Sequence, residues 1–171
     1  MFLDGWKRKS IKRNIQKLID NSAGSSVSSK IHSVGILIDI SAFNDAEQIL
    51  NIIKELGIDI DVEVLSYKNK KENLPDQDEF FYDDVIGYNG KIKSEAVTNF
   101  VSKPFDLLLS YYNAENLVLQ FVTARSGARF KVGFPLQKYQ LNDLTIHVDL
   151  ENTTAFKTEL KKYLKILNRI D

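Results

Sequence analysis

Six cationic side chains fall within eleven residues near the start of the chain: Lys7, Arg8, Lys9, Lys12, Arg13 and Lys17, with Phe2 and Trp6 beside them. A stripe of this kind attracts phosphate backbones through counterion release, without a base-reading motif. The same residues suit an anionic membrane surface into which Phe2, Leu3, Trp6 and Ile11 insert. They also suit a helix whose isoleucines dock on the body of the protein or on a partner while its lysines keep it soluble. The charge pattern favours RNA, a ribonucleoprotein or a protein complex over a membrane surface.

A second set of reactive side chains follows two apolar runs. Asp39, Ser41, Asn44 and Asp45 come after one run, and Ser110, Tyr111, Tyr112 and Asn113 end the other. If both runs are neighbouring parallel strands, these residues share the rim outside the strands' carboxyl ends, where ligands bind in open sheets. Two carboxylates, hydroxyls and an amide there can support acid–base chemistry or ribose binding, with Asp39, Asp45 and Ser110 as the residues to test. The plainer reading has Asp39 and Ser41 capping loops and helices and the tyrosines packing over the sheet edge.

Other chemistry is excluded or disfavoured. The 171 residues contain no cysteine, which removes thiol catalysis, iron–sulfur clusters and every cysteine-based zinc site. Neither GxGxxG nor GxxxxGKS/T occurs, so no backbone cradle for a pyrophosphate is expected, and neither is a dinucleotide cofactor. His32 and His147, the only two histidines, lack partners at metal-ligand spacing and read as structural. The acidic run Asp76, Asp78, Glu79, Asp83 and Asp84 lacks the ligand order of a calcium loop and reads as solvated. Neither a metal nor a cofactor is expected.

The elements that must position these residues can be read from periodicity. Ile11, Ile15, Leu18 and Ile19 form one stripe of an N-terminal helix over residues 1–21, with cations on the other faces. A serine-rich linker over 22–31 separates it from a domain spanning 32–171. There, SVGILIDI (33–40) is a buried strand, Asn44-Asp45-Ala46-Glu47 opens a helix that stops at Gly57, and IDVEVLS (60–66) is a second strand. A polar loop follows, then a short strand near Phe80–Tyr82 and a turn at Gly87-Tyr88-Asn89-Gly90. A helix from Ser94 ends before Pro104, FDLLLS (105–110) is a buried strand, and residues 114–126 form a helix. RFKVGF (129–134) and LTIHVDL (144–150) are strands, and a helix from Thr153 to about Arg169 closes the domain. Strands alternating with helices predict a Rossmann-like or flavodoxin-like α/β fold: an open, mostly parallel sheet of five or six strands, covered on both faces.

The formal net charge of zero hides a split, since residues 1–30 carry +5 and the rest of the chain −5. Charges recur too often near the N-terminus for a signal peptide, and the apolar runs are too short to span a bilayer, which predicts a cytoplasmic protein.

Two resemblances add to this reading. The basic helix, VGILID, FND, PFDLLLSYYNAENL, ARSGARFKVGF, LNDLTIHVD and KKYLKILNRI resemble an uncharacterised α/β family of Bacteroidota. More distantly, residues 105–134 are similar to a stretch in the N-terminal domain of heptosyltransferase-type glycosyltransferases. The opening VGILIDISAFNDAEQI also resembles that family's first strand and its Gly-Asp loop, which implies Asp45 as the acidic residue of the loop. Asn44 stands where the family has glycine, and the chain ends where the donor-binding second domain would begin. The likeness thus implies the fold and argues against stand-alone glycosyl transfer.

The reading that follows is a non-catalytic binding protein, attached by its basic helix to an RNA-containing or protein assembly such as the ribosome. A small transferase or hydrolase using the strand-end rim is one alternative. Another is a structural subunit whose interface is made by the FFYDDVIGY aromatics and Tyr111-Tyr112.

Overall fold

The computed structural model describes residues 2–21, 30–56, 60–69 and 80–171. The linker residues 22–29, the expected helix stop at Gly57 and the acidic residues Asp76, Asp78 and Glu79 lie outside that set.

Among the described residues, a long N-terminal helix α1 (Phe2–Asn21) precedes β1 (Ser33–Asp39), α2 (Ala46–Lys54), β2 (Asp61–Tyr67) and β3 (Phe80–Phe81). There follow α3 (Glu95–Ser102), β4 (Leu107–Tyr111), α4 (Leu117–Arg125), β5 (Lys131–Gly133), β6 (Leu144–Thr145) and α5 (Thr153–Ile166). The six strands form one sheet in the order β3-β2-β1-β4-β5-β6, with every neighbouring pair parallel. This is the Rossmann order, which reverses direction between β1 and β4. Ile36 and Leu37 of β1 lie opposite Leu109 and Ser110 of β4, so the two apolar runs are neighbours as their composition predicts.

Side chains alternate across the sheet and feed two cores. Val34, Ile36 and Ile38 join Leu107, Leu109 and Tyr111 in one core, together with Ile49 and Ile53 of α2 and Phe156, Leu160 and Leu164 of α5. Leu37, Leu65, Leu108 and Tyr112 join the other, with Phe100 of α3 and Leu119, Phe121 and Val122 of α4. Each of α2 to α5 starts where a side chain replaces a missing backbone partner. Asp45 accepts from the Gln48 N–H, Ser94 from Val97, Asn116 from Val118 and Leu119, and Asn152 from Ala155.

Three expectations need correction. The last strand stops at Thr145 instead of reaching Leu150. Its neighbour β5 ends at Gly133, and Phe134-Pro135 leads the chain away, so residues beyond the Ile146 N–H bond to the Gly133 carbonyl have no ladder to join. The helix read over 114–126 begins at Leu117, because Asn116 is its cap. Tyr111 and Tyr112 are 0% and 1% exposed, so they lie inside the fold and not on the surface where the interface reading puts them. Tyr111 packs its ring against Phe43, Phe134 and Phe156 and donates its hydroxyl to the Leu150 carbonyl. The Tyr112 hydroxyl lies 2.8 Å from Thr123 Oγ1.

Candidate functional site

The N-terminal helix is docked on the body. Ile11 and Ile15, 2% and 0% exposed, belong to the same core as Val118, Phe121 and Val122 of α4, and Ile19 packs against it. At the N-terminal end of α1, Lys7 Nζ donates to the Asp83 carbonyl at 3.0 Å. With the isoleucine stripe buried, Arg8, Lys9, Lys12, Arg13 and Lys17 remain exposed.

Trp6 is 79% exposed on this helix, and Tyr88 is 57% exposed beside it. A shallow cavity of about 380 Å³ lies between them, lined also by Lys9, Ser10 and Arg13. A second, of about 450 Å³, lies further toward the C-terminal end of α1 against Lys17, Lys91 and Arg125. Among the described residues, no carboxylate lines either one.

The turn carrying Tyr88 is tightly specified. The Gly90 N–H donates to the Gly87 carbonyl, the Gly87 N–H to the Lys91 carbonyl, and the Lys91 N–H to Asn89 Oδ1. Gly90 has a φ of +76°, and a Cβ there would sit 2.4 Å from Asn14 Nδ2 of α1. Only glycine therefore lets this turn lie against the helix.

Beyond the carboxyl ends of the strands is a separate crevice of about 380 Å³, lined by Lys7, Arg8, Asp83, Glu115 and Asn116 among others. Glu115 is already engaged, accepting from Gln120 Nε2 and from the Gln137 N–H, both at 2.6 Å. Asp39 ends β1 nearby, 6% exposed, and accepts from the Ser41 N–H at 3.0 Å. Burial raises its carboxyl above the usual range, and the Asp83 charge adds to the rise, while the bonds from the Ser41 and Ala42 backbone oppose it. Burial and the neighbouring Asp83 likewise push the Tyr67 hydroxyl upward.

The three residues singled out for catalysis do not converge. Asp45 is exposed and caps α2. Ser110 is 0% exposed beneath α4, its Oγ 3.4 Å from Thr123 Oγ1. Asp39 alone stands near the crevice. His32 lies ahead of β1, at the amino edge of the sheet, and His147 follows β6 at the opposite edge. No group of three or more metal-ligating side chains occurs among the described residues, nor is any described helix long and apolar enough to cross a membrane.

Sequence reasoning did not single out Tyr67, Glu115 and Asn116 at the crevice, or Lys91 and Arg125 beside α1; it read Asp83 as part of a solvated acidic run and Tyr88 as part of a turn and of the FFYDDVIGY interface alternative. For Tyr88 a signal existed, an aromatic side chain set in a glycine-bounded turn. The others have none, because only the fold makes them neighbours.

Taken together, the strand order and the crevice define an open, parallel α/β sheet protein of the Rossmann-like class, with a basic helix packed on one face. The chain belongs to a family of unknown function (DUF6913), whose model matches residues 7–167. No curated protein and no solved structure matches it.

Proposed function

We propose that this protein is a non-catalytic binding protein whose α1 surface engages an RNA-containing assembly, the ribosome being one candidate. The observation that carries the reading is the division of labour on α1. Ile11 and Ile15 are committed to the core, so the exposed Lys9, Lys12, Arg13 and Lys17 are held in place on a rigid support and engage no carboxylate among the described residues. A fixed array of cations loses little conformational freedom on meeting phosphates.

Removing α1 would open the core, so the test relies on charge. Lys9→Glu, Arg13→Glu and Lys17→Glu, combined in one variant, should leave the circular dichroism unchanged and abolish retention of RNA from native lysate, read at 260 nm. The native chain should release its RNA steeply as salt rises, with a slope of roughly 0.7–0.9 per phosphate contacted. Salt-insensitive retention that survives the charge reversals would overturn the reading.

A second reading draws on the strand-end crevice. Its mixture of Lys7, Arg8 and Asp83, with the resemblance of residues 105–134 to half of a glycosyltransferase fold, supports a small transferase or hydrolase. A nucleotide sugar that raises the melting temperature of the native chain, but not that of an Arg8→Glu variant, would favour it. Absence of any shift across a broad ligand screen would count against it.

A further inference from the structure

We infer that Trp6 and Tyr88 form a base-stacking platform, and that the partner of the α1 surface is single-stranded RNA with its bases unstacked. The inference rests on the RNA-binding reading and names the form of RNA the surface takes.

Tryptophan combines a large apolar ring with one polar N–H, and folded proteins bury most of it. Here the chain's single tryptophan stands 79% exposed on a helix whose apolar stripe is already buried elsewhere. It is not part of the core that packs α1 on α4. Tyr88, 57% exposed, is brought beside it by a turn that only glycine at position 90 permits. Both rings line one cavity with Lys9 and Arg13.

From Trp6 to Lys17 the helix advances about 16 Å, and the cations continue through Lys17, Lys91 and Arg125, with no carboxylate lining either cavity among the described residues. Aromatic faces interleaved with cations along a groove are what a single strand requires, since its free bases stack on rings while its phosphates meet the charges. A duplex presents a shielded stack and phosphates, so the cations alone would serve it and the two rings would be idle. A membrane surface requires an apolar helix face to insert. Among the described residues, Trp6 shares this cavity with Lys9, Ser10, Arg13 and Tyr88, and only the tyrosine is aromatic.

Because Trp6 is the only tryptophan, its fluorescence reports on the proposed site alone. The full-length chain is titrated with a ten-nucleotide oligoadenylate, with an RNA duplex of the same length, and with vesicles containing anionic phospholipid. Stacking predicts strong quenching by the single strand, little by the duplex, and no blue shift with vesicles. Trp6→Ala and Tyr88→Ala should each weaken binding of end-labelled single strand by about tenfold, and Trp6→Phe should restore part of the loss. Both side chains are exposed, so unchanged circular dichroism will certify the variants.

Equal affinity for duplex and single strand with no quenching would overturn the stacking platform while leaving the RNA-binding reading intact. Binding of neither RNA would overturn both. A blue shift on anionic vesicles without quenching by RNA would replace the platform with a membrane-insertion site.

Discussion

The Tyr67 hydroxyl donates to the Asp83 carboxylate over 2.7 Å, joining the end of β2 to the 3-10 turn at Asp83–Val85, whose first carbonyl receives Lys7 of α1. Position 83 thus meets the sheet through its side chain and the basic helix through its backbone. Tyr67→Phe keeps the buried ring against Phe81 and deletes only the donor. It should cost about 1 kcal/mol in urea unfolding. No change in the denaturation midpoint would show that water substitutes for the hydroxyl.

Docking of α1 makes a stability prediction. Ile15 is 0% exposed in a core shared with α4, so Ile15→Ala should cost about 3 kcal/mol through lost burial and the cavity left behind. Lys12→Ala, on the exposed face of the same helix, should change stability by less than about 0.5 kcal/mol. Equal, small effects from both would mean that α1 is a free arm.

Asp39 predicts a pH dependence. Its carboxyl is raised from the usual 3.8 in the folded chain, so the folded state holds the proton more tightly than the unfolded state. This contribution to stability is fully present below about pH 3.8 and lost as pH rises through the folded value. Asp39→Asn retains an oxygen to accept from Ser41 and carries no charge. Its melting temperature should exceed the native value at pH 7, and the advantage should shrink as pH falls toward 4. A native protein that is the more stable of the two at pH 7 would contradict the assignment.

At the opposite end of the sheet, Asp106 accepts from the His32 and Ser33 N–H groups at 3.0 and 3.1 Å and from Ser33 Oγ at 3.1 Å. Arg129 also reaches it, at 3.2 Å. Asp106→Ala strips the partners from two backbone donors and should cost about 2–3 kcal/mol. The Arg129 side chain is 53% exposed, so Arg129→Ala should cost under about 1 kcal/mol. The two midpoints, measured side by side, separate the backbone anchor from the ion pair.

Composition and periodicity alone determined a good deal. The apolar β-branched run at 33–40 reads as a strand buried on both faces, and the polar residues Asp45 and Ser94 announce their helices because they offer a local oxygen to N–H groups that have no other acceptor. The isoleucine stripe of α1 is equally local, since helical spacing puts Ile11 and Ile15 on one side whatever lies opposite. What lies opposite was not local. That the stripe meets α4 rather than a partner depends on the crossover that carries α4 to the same face of the sheet. Ser110 was legible as a strand-end hydroxyl, yet its concealment beneath Thr123 follows from the register of β4 against β1 and the packing of α4 above them. Likewise Trp6 and Tyr88 stand 82 positions apart in sequence. Only a glycine turn pressed against Asn14 brings their rings to one cavity. The sequence determined the elements because backbone hydrogen bonding and side-chain periodicity act within a few residues; the tertiary structure decided the sites because these depend on contacts between segments whose spacing along the chain carries no information.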